Sequence, residues 1–159
     1  MDYQTFWRLF VLQEKQMAKY KIKITKRKEV ASCIILDDQD KILILKRSQT
    51  DPWKPGWWDL PGGHVDPGEK PIEGATREAD EEANLTVRNL IEVDSVPFDK
   101  IIKFFFITTD WEGEVDFKPN PKSGFTEHDD FRWVTIEELE EITNSIIPIA
   151  TIKKGLELV

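Results

Sequence analysis

The order of apolar and polar positions in the first third of the chain predicts a helix followed by strands. Over residues 4–18 the apolar side chains recur at helical spacing, which indicates an amphipathic helix. Over residues 20–25 they alternate with lysine and threonine, as in a half-exposed strand. Residues 30–36 form a continuous apolar run typical of a buried strand. A polar turn at 37–40 and a second strand at 41–47 then predict a hairpin.

The remaining pattern predicts more strands and helices without regular alternation. Pro71 suits the first turn of a helix that ends at Asn84, and Glu73 favours the positive end of its dipole. Strands are predicted at 86–96, 101–109 and 131–134, a long acidic loop at 111–130, and helices at 136–142 and 146–158. The predicted class is therefore α/β in the broad sense, more closely α+β, with a mixed sheet flanked by helices.

Charge divides the chain into two parts. The formal net charge is −8, which argues against nonspecific nucleic-acid binding by the whole surface. Residues 1–28, however, carry eight basic and two acidic side chains, so this end is +6 and the remainder is −14. We therefore divide the 159 residues into an N-terminal helix and basic strand (1–27) and one domain (28–159). The basic arm could meet phosphates or could be an ordinary solvated surface.

Cysteine content and hydropathy restrict the setting. Cys33 lies inside the apolar run and has no second cysteine with which to form an internal disulfide or a zinc cluster. The apolar cluster at residues 6–12 is too short to span a bilayer and lacks a cleavage site. These features predict a soluble cytoplasmic protein with no membrane partner.

Three glutamates on the predicted helix at 72–84 raise the question of chemistry. Glu78, Glu81 and Glu82 have i, i+3, i+4 spacing and share one stripe, beside a stripe of mostly small residues that would let the helix approach a sheet. The small stripe consists of Ile72, Ala75, Ala79 and Ala83. Like charges this close cost roughly 0.2–0.5 kcal/mol per pair, and Arg77 offsets only part of that. Spacing alone leaves two readings open, a solvated surface helix or a site for Mg²⁺.

The wider segment resembles a known family motif. Gly63, five residues, Glu69, seven residues, Arg77-Glu78-Ala79, one residue, Glu81-Glu82, one residue and Asn84-Leu85 is similar to the Nudix box. Ala79 replaces a larger aliphatic residue, and Asn84 replaces a glycine whose backbone conformation asparagine can adopt. Flanking residues at 58–62 and 133–139 also look like the family, so the resemblance covers about residues 28–145.

That resemblance implies an α/β/α sandwich and a set of roles at the site. The cofactor would be Mg²⁺, with Mn²⁺ as a substitute. Glu78 and Glu82 would be the main metal ligands, and Glu81 would share the cation or bind a second. The metal set would be completed by Glu69 and the Gly62 carbonyl, while Arg77 would orient a glutamate. Glu127 is our choice of general base, with competition from His128, Asp129 and Asp130.

The implied activity is metal-dependent hydrolysis of a phosphoanhydride bond in a nucleoside di- or triphosphate derivative, by water attack on a metal-bridged phosphate. Lys46, Arg47 and Trp58 are the predicted substrate-binding residues, the first two for phosphates and the last for base stacking. Two alternatives stay open: removal of a cap or pyrophosphate from RNA 5′ ends, and nucleotide sensing without turnover. The helix at 4–18 is also compatible with a homodimer.

Overall fold

The computed structural model of the chain describes residues 27–159, together with Arg8 and Leu12. The predicted helix at 4–18 and strand at 20–25 lie outside these described residues, apart from Arg8 and Leu12, which are helical and exposed. Within the part described, no helix is long and apolar enough to cross a membrane.

Nine strands and three helices make up the described chain. The strands are β1 (Lys28–Ile35), β2 (Ile42–Arg47), β3 (Trp58–Asp59), β4 (Gly62–His64), β5 (Leu85–Arg88), β6 (Ile91–Phe98), β7 (Ile101–Thr108), β8 (Asp110–Gly113) and β9 (His128–Val134). The helices are α1 (Pro71–Ala83), α2 (Ile136–Glu141) and α3 (Ile149–Leu156).

The strands form three sheets among the described residues. The largest has the order β4-β1-β7-β6 and is mixed, because β1 runs parallel to β7 while the β1–β4 and β6–β7 pairs are antiparallel. A second sheet has the order β3-β2-β9, and β5 and β8 form a third. All pairs in the two smaller sheets are antiparallel.

Helices cover both faces of the central strands. Along β1, Ile34 points into a core cluster with Leu139 of α2 and Ile152 of α3, whereas Cys33 and Ile35 point into the opposite cluster. That second cluster contains the alanines of α1, so β1 is buried on both sides, which explains its continuous apolar run. The expected α/β/α layering with a mixed sheet is confirmed. Burial also raises the pKa of the Cys33 thiol to about 12, consistent with an unreactive side chain.

The predicted hairpin between residues 30–36 and 41–47 is wrong. The turn exists, with the Asp37 carboxylate accepting from the backbone N–H groups of Gln39 and Lys41. Beyond a single bridge between Leu36 and Ile42, however, β1 and β2 separate into different sheets. Both strands are buried, and each completes its hydrogen bonding with two other strands instead.

Three other boundaries differ from the sequence prediction. The strand predicted at 86–96 is broken into β5 and β6 at Asn89, whose φ is 51°. The predicted loop at 111–130 begins inside β8 and ends inside β9. The last helix starts at Ile149 rather than 146, because Pro148 occupies its N-cap.

Candidate active site

Helix α1 packs tightly on the sheet through small side chains. Ala75, Ala79 and Ala83 are fully buried, as the spacing predicted. Ile72, which the sequence placed on the same stripe, is 38% exposed, so the contact begins one turn later. At the helix start Pro71 is in the first turn and Glu73 accepts a hydrogen bond from the Lys70 N–H. The helix therefore presents its glutamates from a closely held backbone.

The three glutamates of α1 are not a solvated surface. Glu78 is 6% exposed and Glu82 is 8% exposed, while Glu81 is half-buried. Burial raises the pKa of both Glu78 and Glu82, the latter well above its ordinary value, and the neighbouring carboxylates add to the effect. Two buried carboxylates beside a third are costly without a cation. The reading of this helix as a surface element is excluded.

Arg77 supplies one positive charge to this group. Its Nη1 donates to Glu78 Oε1 at 2.8 Å and to Glu81 Oε2 at 3.0 Å. Its Nε and Nη2 donate to the two oxygens of Glu69 at 2.9 and 3.1 Å, and Nη2 also donates to the carbonyl of His64 at 2.9 Å. These five hydrogen bonds match the five N–H donors of a guanidinium.

Glu69 lies in the loop between β4 and α1 and is held by Arg77. One of its oxygens also accepts from the Asp66 N–H at 2.9 Å. The Arg77 guanidinium holds the pKa of this carboxyl below its ordinary value, so Glu69 is ionised at neutral pH. In this arrangement Glu69 orients Arg77, and both of its oxygens are already engaged.

Glu82 joins the helix to two other parts of the chain. Its Oε2 accepts a hydrogen bond from the Gly62 N–H at 2.9 Å. Burial raises the pKa of Glu82, and the neighbouring Glu78 and Glu127 carboxyls add to the effect. Glu127 itself accepts a hydrogen bond from the Asn120 side chain at 3.1 Å. A divalent cation near these carboxylates would offset their mutual repulsion.

The two glycines of β4 are required by close approach. A Cβ on Gly63 would lie 2.5 Å from Glu78 Oε1, and a Cβ on Gly62 would lie 2.4 Å from the Ser32 hydroxyl. A side chain at either position would displace the glutamate or the strand beneath it. Gly62 and Gly63 therefore bring the β4 backbone against the carboxylates.

The glutamates at the end of α1 open onto a small cleft. Glu81 and Glu82 form one side, and Glu127 and His128 line it as well. The rest of the wall comes from the loop after β8, with Phe117, Lys118 and Asn120 among its members.

The donor chemistry of the cleft fits a hard divalent cation. Within residues 27–159, no three carboxylate, imidazole or thiol groups already converge as a cation site. The buried Glu78 and Glu82 nevertheless have raised pKa values, which shows that their ionised forms lack sufficient positive charge nearby. Oxygen ligands of this kind suit Mg²⁺ or Mn²⁺, whose charge would favour the ionised form of both glutamates. Glu78, Glu81 and Glu82 are the residues that could hold the ion.

Comparison with known proteins agrees with this geometry. The model of the NUDIX domain family matches residues 26–152. The chain is 30% identical over 97 residues to an 8-oxo-dGTP diphosphatase of Proteus vulgaris, covering 58% of this chain and 86% of that one. It is 32% identical over 107 residues to an RNA pyrophosphohydrolase of Bartonella clarridgeiae, covering 55% of this chain and 62% of that one.

Among solved structures, the MutT protein of Methanosarcina mazei Go1 superposes with a TM-score of 0.65. It is 23% identical and covers 87% of this chain and 98% of that chain, which supports the fold. The chain belongs to the Nudix family. It is a Nudix hydrolase, and the resemblance inferred from the Gly63–Leu85 segment is confirmed.

The cleft of this Nudix hydrolase is not lined by the predicted substrate residues, Lys46, Arg47 and Trp58. Trp58 is 4% exposed within the core and is covered by the Arg132 guanidinium, 4.7 Å from its ring centroid. This burial favours a packing role over base stacking. Arg47 forms a 2.7 Å ion pair with Asp51, and Lys46 is half-buried opposite Trp58. Base stacking by Trp58 and phosphate binding by Lys46 and Arg47 remain predictions.

Sequence reasoning placed too little weight on His128 and did not identify Asn120. His128 was named from the sequence as a competitor for the general base, but the side chain is 3% exposed and lines the Nudix cleft. Asn120 has no sequence signal, because its role depends on how the loop folds back onto Glu127. The burial of His128 was equally hidden, since it results from the pairing of β9 with β2.

Proposed function

We propose that this Nudix hydrolase cleaves a phosphoanhydride bond of nucleoside triphosphates, releasing a nucleoside monophosphate and pyrophosphate. The single observation that carries the proposal is the buried Glu82, which lines one cleft with Glu81 and the half-buried Glu127 and lies beside the buried Glu78. The relative from Proteus vulgaris is named an 8-oxo-dGTP diphosphatase, which supports the nucleoside triphosphate class, including oxidised nucleotides.

The proposed mechanism assigns each residue one task. Glu78, Glu81 and Glu82 would hold Mg²⁺, which would supply charge neutralisation at the phosphates and activation of the attacking water. Arg77 fixes the side chains of Glu78 and Glu81 while itself held by Glu69. Gly62 donates its N–H to Glu82 and keeps that carboxylate facing the strand.

Glu127 is the proposed general base. Glu127 lines the same cleft as Glu81 and Glu82, where its carboxylate could accept a proton from the attacking water. The water oxygen bonds to phosphorus, the bridging P–O bond breaks with its electron pair on the leaving phosphate, and the water proton passes to Glu127. Asn120, which donates to Glu127, would hold the base in position.

The test of this proposal compares Glu82→Gln with the wild type on a nucleotide panel with Mg²⁺. The panel contains the common nucleoside triphosphates, 8-oxo-dGTP, ADP-ribose, a dinucleoside polyphosphate and a 5′-triphosphorylated RNA. Because the amide cannot replace the carboxylate as a cation ligand, we expect turnover to fall on the order of a hundredfold or more while nucleotide binding persists. Glu137→Gln, on an exposed helical glutamate outside the cleft, is the matched control and should leave turnover unchanged.

Two outcomes of this panel would contradict the proposal. Equal turnover by the wild type and Glu82→Gln would remove the assigned role of that carboxylate. Nucleotide binding by the wild type with no phosphate or pyrophosphate release at millimolar Mg²⁺ would indicate a sensing module instead.

A second candidate, hydrolysis at RNA 5′ ends, has its own support. The relative from Bartonella clarridgeiae is named an RNA pyrophosphohydrolase, and residues 1–28 carry a charge of +6 that could grip a phosphate backbone. This function predicts that activity on RNA weakens steeply with salt and after neutralising the lysines at 15–28. Activity on free nucleotides that is insensitive to both changes would favour the first candidate.

A further inference from the structure

His128 carries a buried nitrogen for which the folded chain provides no partner. Its side chain is 3% exposed, and its Nε2 is the one buried side-chain nitrogen or oxygen among the described residues that makes no hydrogen bond. Leaving such a group unpaired costs free energy, so it calls for an explanation. The imidazole also lines the same cleft as Glu81, Glu82 and Glu127.

A bulge in β9 directs this side chain into the cleft. Lys46 of β2 pairs with Asp130, but the next residue, Arg47, pairs with His128, so Asp129 is an extra residue in the ladder. Without the bulge, alternation would place His128 on the opposite face of the sheet. With it, His128 shares a face with Leu45, which packs against the α1 side. Bulges that re-aim a side chain are frequent beside active sites.

Two other side-chain donors on this wall are already engaged. Lys118 Nζ donates to the Asn84 side chain at 2.5 Å, and Asn120 donates to Glu127. Burial lowers the pKa of His128, an effect only partly offset by nearby acidic groups including Asp59, and so favours the neutral ring. A neutral imidazole offers one N–H donor.

We infer that His128 is a substrate-binding residue whose Nε2–H donates a hydrogen bond to a phosphate oxygen of the nucleotide. The inference rests on the proposed function, because it takes the phosphates to lie between the metal-binding glutamates and the opposite wall of the cleft. The part of a nucleotide that meets Glu81 and Glu82 through a cation is its phosphate chain, and His128 faces the same space. The phosphate oxygen would then be the hydrogen-bond partner that Nε2 lacks within the described part of the chain.

The test uses three substitutions that separate binding from packing. His128→Leu keeps an apolar filler and removes the donor, His128→Gln places an amide N–H near the Nε2 position, and His128→Asn places one near Nδ1. On the best substrate of the panel we expect KM to rise about tenfold in the Leu and Asn variants with kcat little changed. In the Gln variant KM should return to within about threefold of the wild type.

Stability provides a readout that a purely structural histidine would not give. Because His128→Leu removes an unpaired buried nitrogen, we expect its Tm without ligand to equal or exceed that of the wild type. A Tm that falls in all three variants together with unchanged KM would overturn the inference. Equal impairment of KM in the Gln and Asn variants would also overturn it, since only one of them keeps the donor in place.

Binding of magnesium pyrophosphate, measured by calorimetry, distinguishes this inference from the proposed function. If the wild type turns over no nucleotide, the proposed function fails, yet a roughly tenfold weaker pyrophosphate affinity in His128→Leu would still support the phosphate contact. If the wild type is active and His128→Leu binds pyrophosphate and substrate as the wild type does, the contact is disproved and the hydrolase function stands.

Discussion

At the scale of single residues, Arg77 decides how the acidic side chains are arranged. It connects Glu69 in the β4–α1 loop with Glu78 and Glu81 on the helix, and its Nη2 also holds the carbonyl of His64. A lysine could keep the positive charge but could not reach both loop and helix in the same geometry. The charge of Arg77 is therefore less distinctive than its planar set of donors.

Replacing Arg77 with lysine should consequently damage both stability and turnover. We expect Arg77→Lys to lower the free energy of unfolding by about 2 kcal/mol, because charge-assisted hydrogen bonds to Glu69 and Glu81 are lost. For a chain of this size that is a fall of roughly 4–8 °C in Tm by calorimetry. The turnover of the variant should fall as Glu78 and Glu81 lose their fixed orientation.

The matched control is Arg88→Lys, on an exposed arginine that pairs with Glu112 at the protein surface. Surface pairs contribute about 0–1 kcal/mol, so this variant should melt close to the wild type. If Arg77→Lys and Arg88→Lys had the same Tm and turnover, the special role of the Arg77 donors would be disproved.

Residue-level prediction from the sequence was correct where helical geometry alone decides the outcome. The i, i+3, i+4 spacing placed Glu78, Glu81 and Glu82 on one face, and the structure confirms that they lie together near the sheet. The spacing could not reveal that Glu69 binds Arg77 with both oxygens, because the loop conformation selects the pairing. The burial of Trp58 was equally invisible, since a tryptophan suits both a core and a base-binding site.

At the scale of elements, the C-terminal end of α1 links this glutamate-bearing helix to the cleft wall. Asn84 adopts the left-handed conformation, with φ 58° and ψ 32°, as its position in the motif predicted. Its side chain also donates to the Glu114 carbonyl at 3.0 Å and accepts from Lys118. Asparagine thus ends the helix and holds the loop that carries Phe117 and Asn120.

Substitutions at Asn84 should separate these two contributions. Asn84→Gly keeps the backbone conformation and loses only the side-chain bonds, so we expect a loss of about 1 kcal/mol in the free energy of unfolding. Asn84→Ala also forces an alanine into the left-handed region and should cost about 1–2 kcal/mol more. Urea denaturation of the two variants measures the difference, and equal midpoints would contradict the backbone argument.

Element boundaries were predictable from periodicity, but strand partners were not. The apolar run of β1 indicates burial on two sides, and its alternation between two cores confirms this. The same pattern does not say which strand lies beside it, so the expected hairpin with β2 was wrong. The bulge at Asp129 was hidden for the same reason, because it exists only in the register between β9 and β2.

At the scale of the whole molecule, the site requires the complete fold. The strand β4, the helix α1 and the segment from Phe117 to His128 meet only because β1 lies between β4 and β7 and α1 packs above it. The folded chain therefore forces Glu78 and Glu82 into a buried position that the unfolded chain does not impose. Without a metal ion, burying these two carboxyl groups costs free energy. Because that cost depends on their protonation, the stability of the protein depends on pH.

The sign of that dependence follows from the raised pKa of Glu78 and Glu82 in the folded protein. Their stabilising contribution is fully present below the ordinary carboxyl pKa of 4.5 and is lost as pH rises through the raised folded value. The pKa of Glu69 is lowered, so its contribution to stability is present above the ordinary carboxyl pKa of 4.5 and is lost as pH falls below it. The pKa of His128 is lowered in the folded protein, so the unfolded chain binds a proton more readily and stability falls as pH drops below about 6.5. Glu82→Gln retains both Glu69 and His128, so the comparison of wild type with this variant isolates Glu82.

With EDTA at pH 8, we therefore expect Glu82→Gln to melt roughly 3–6 °C above the wild type, because a neutral amide needs neither a buried charge nor the uptake of a proton on folding. At pH 5 the difference in Tm should shrink, because this pH is close to the ordinary carboxyl pKa of 4.5, below which the raised pKa costs no stability. Millimolar Mg²⁺ at pH 8 should raise the wild-type Tm and reverse the order, because the ion binds the folded carboxylates and not the amide. Differential scanning calorimetry in these three buffers measures the effect. A constant difference between the proteins in all of them would mean that Glu82 neither carries a buried charge nor binds the ion.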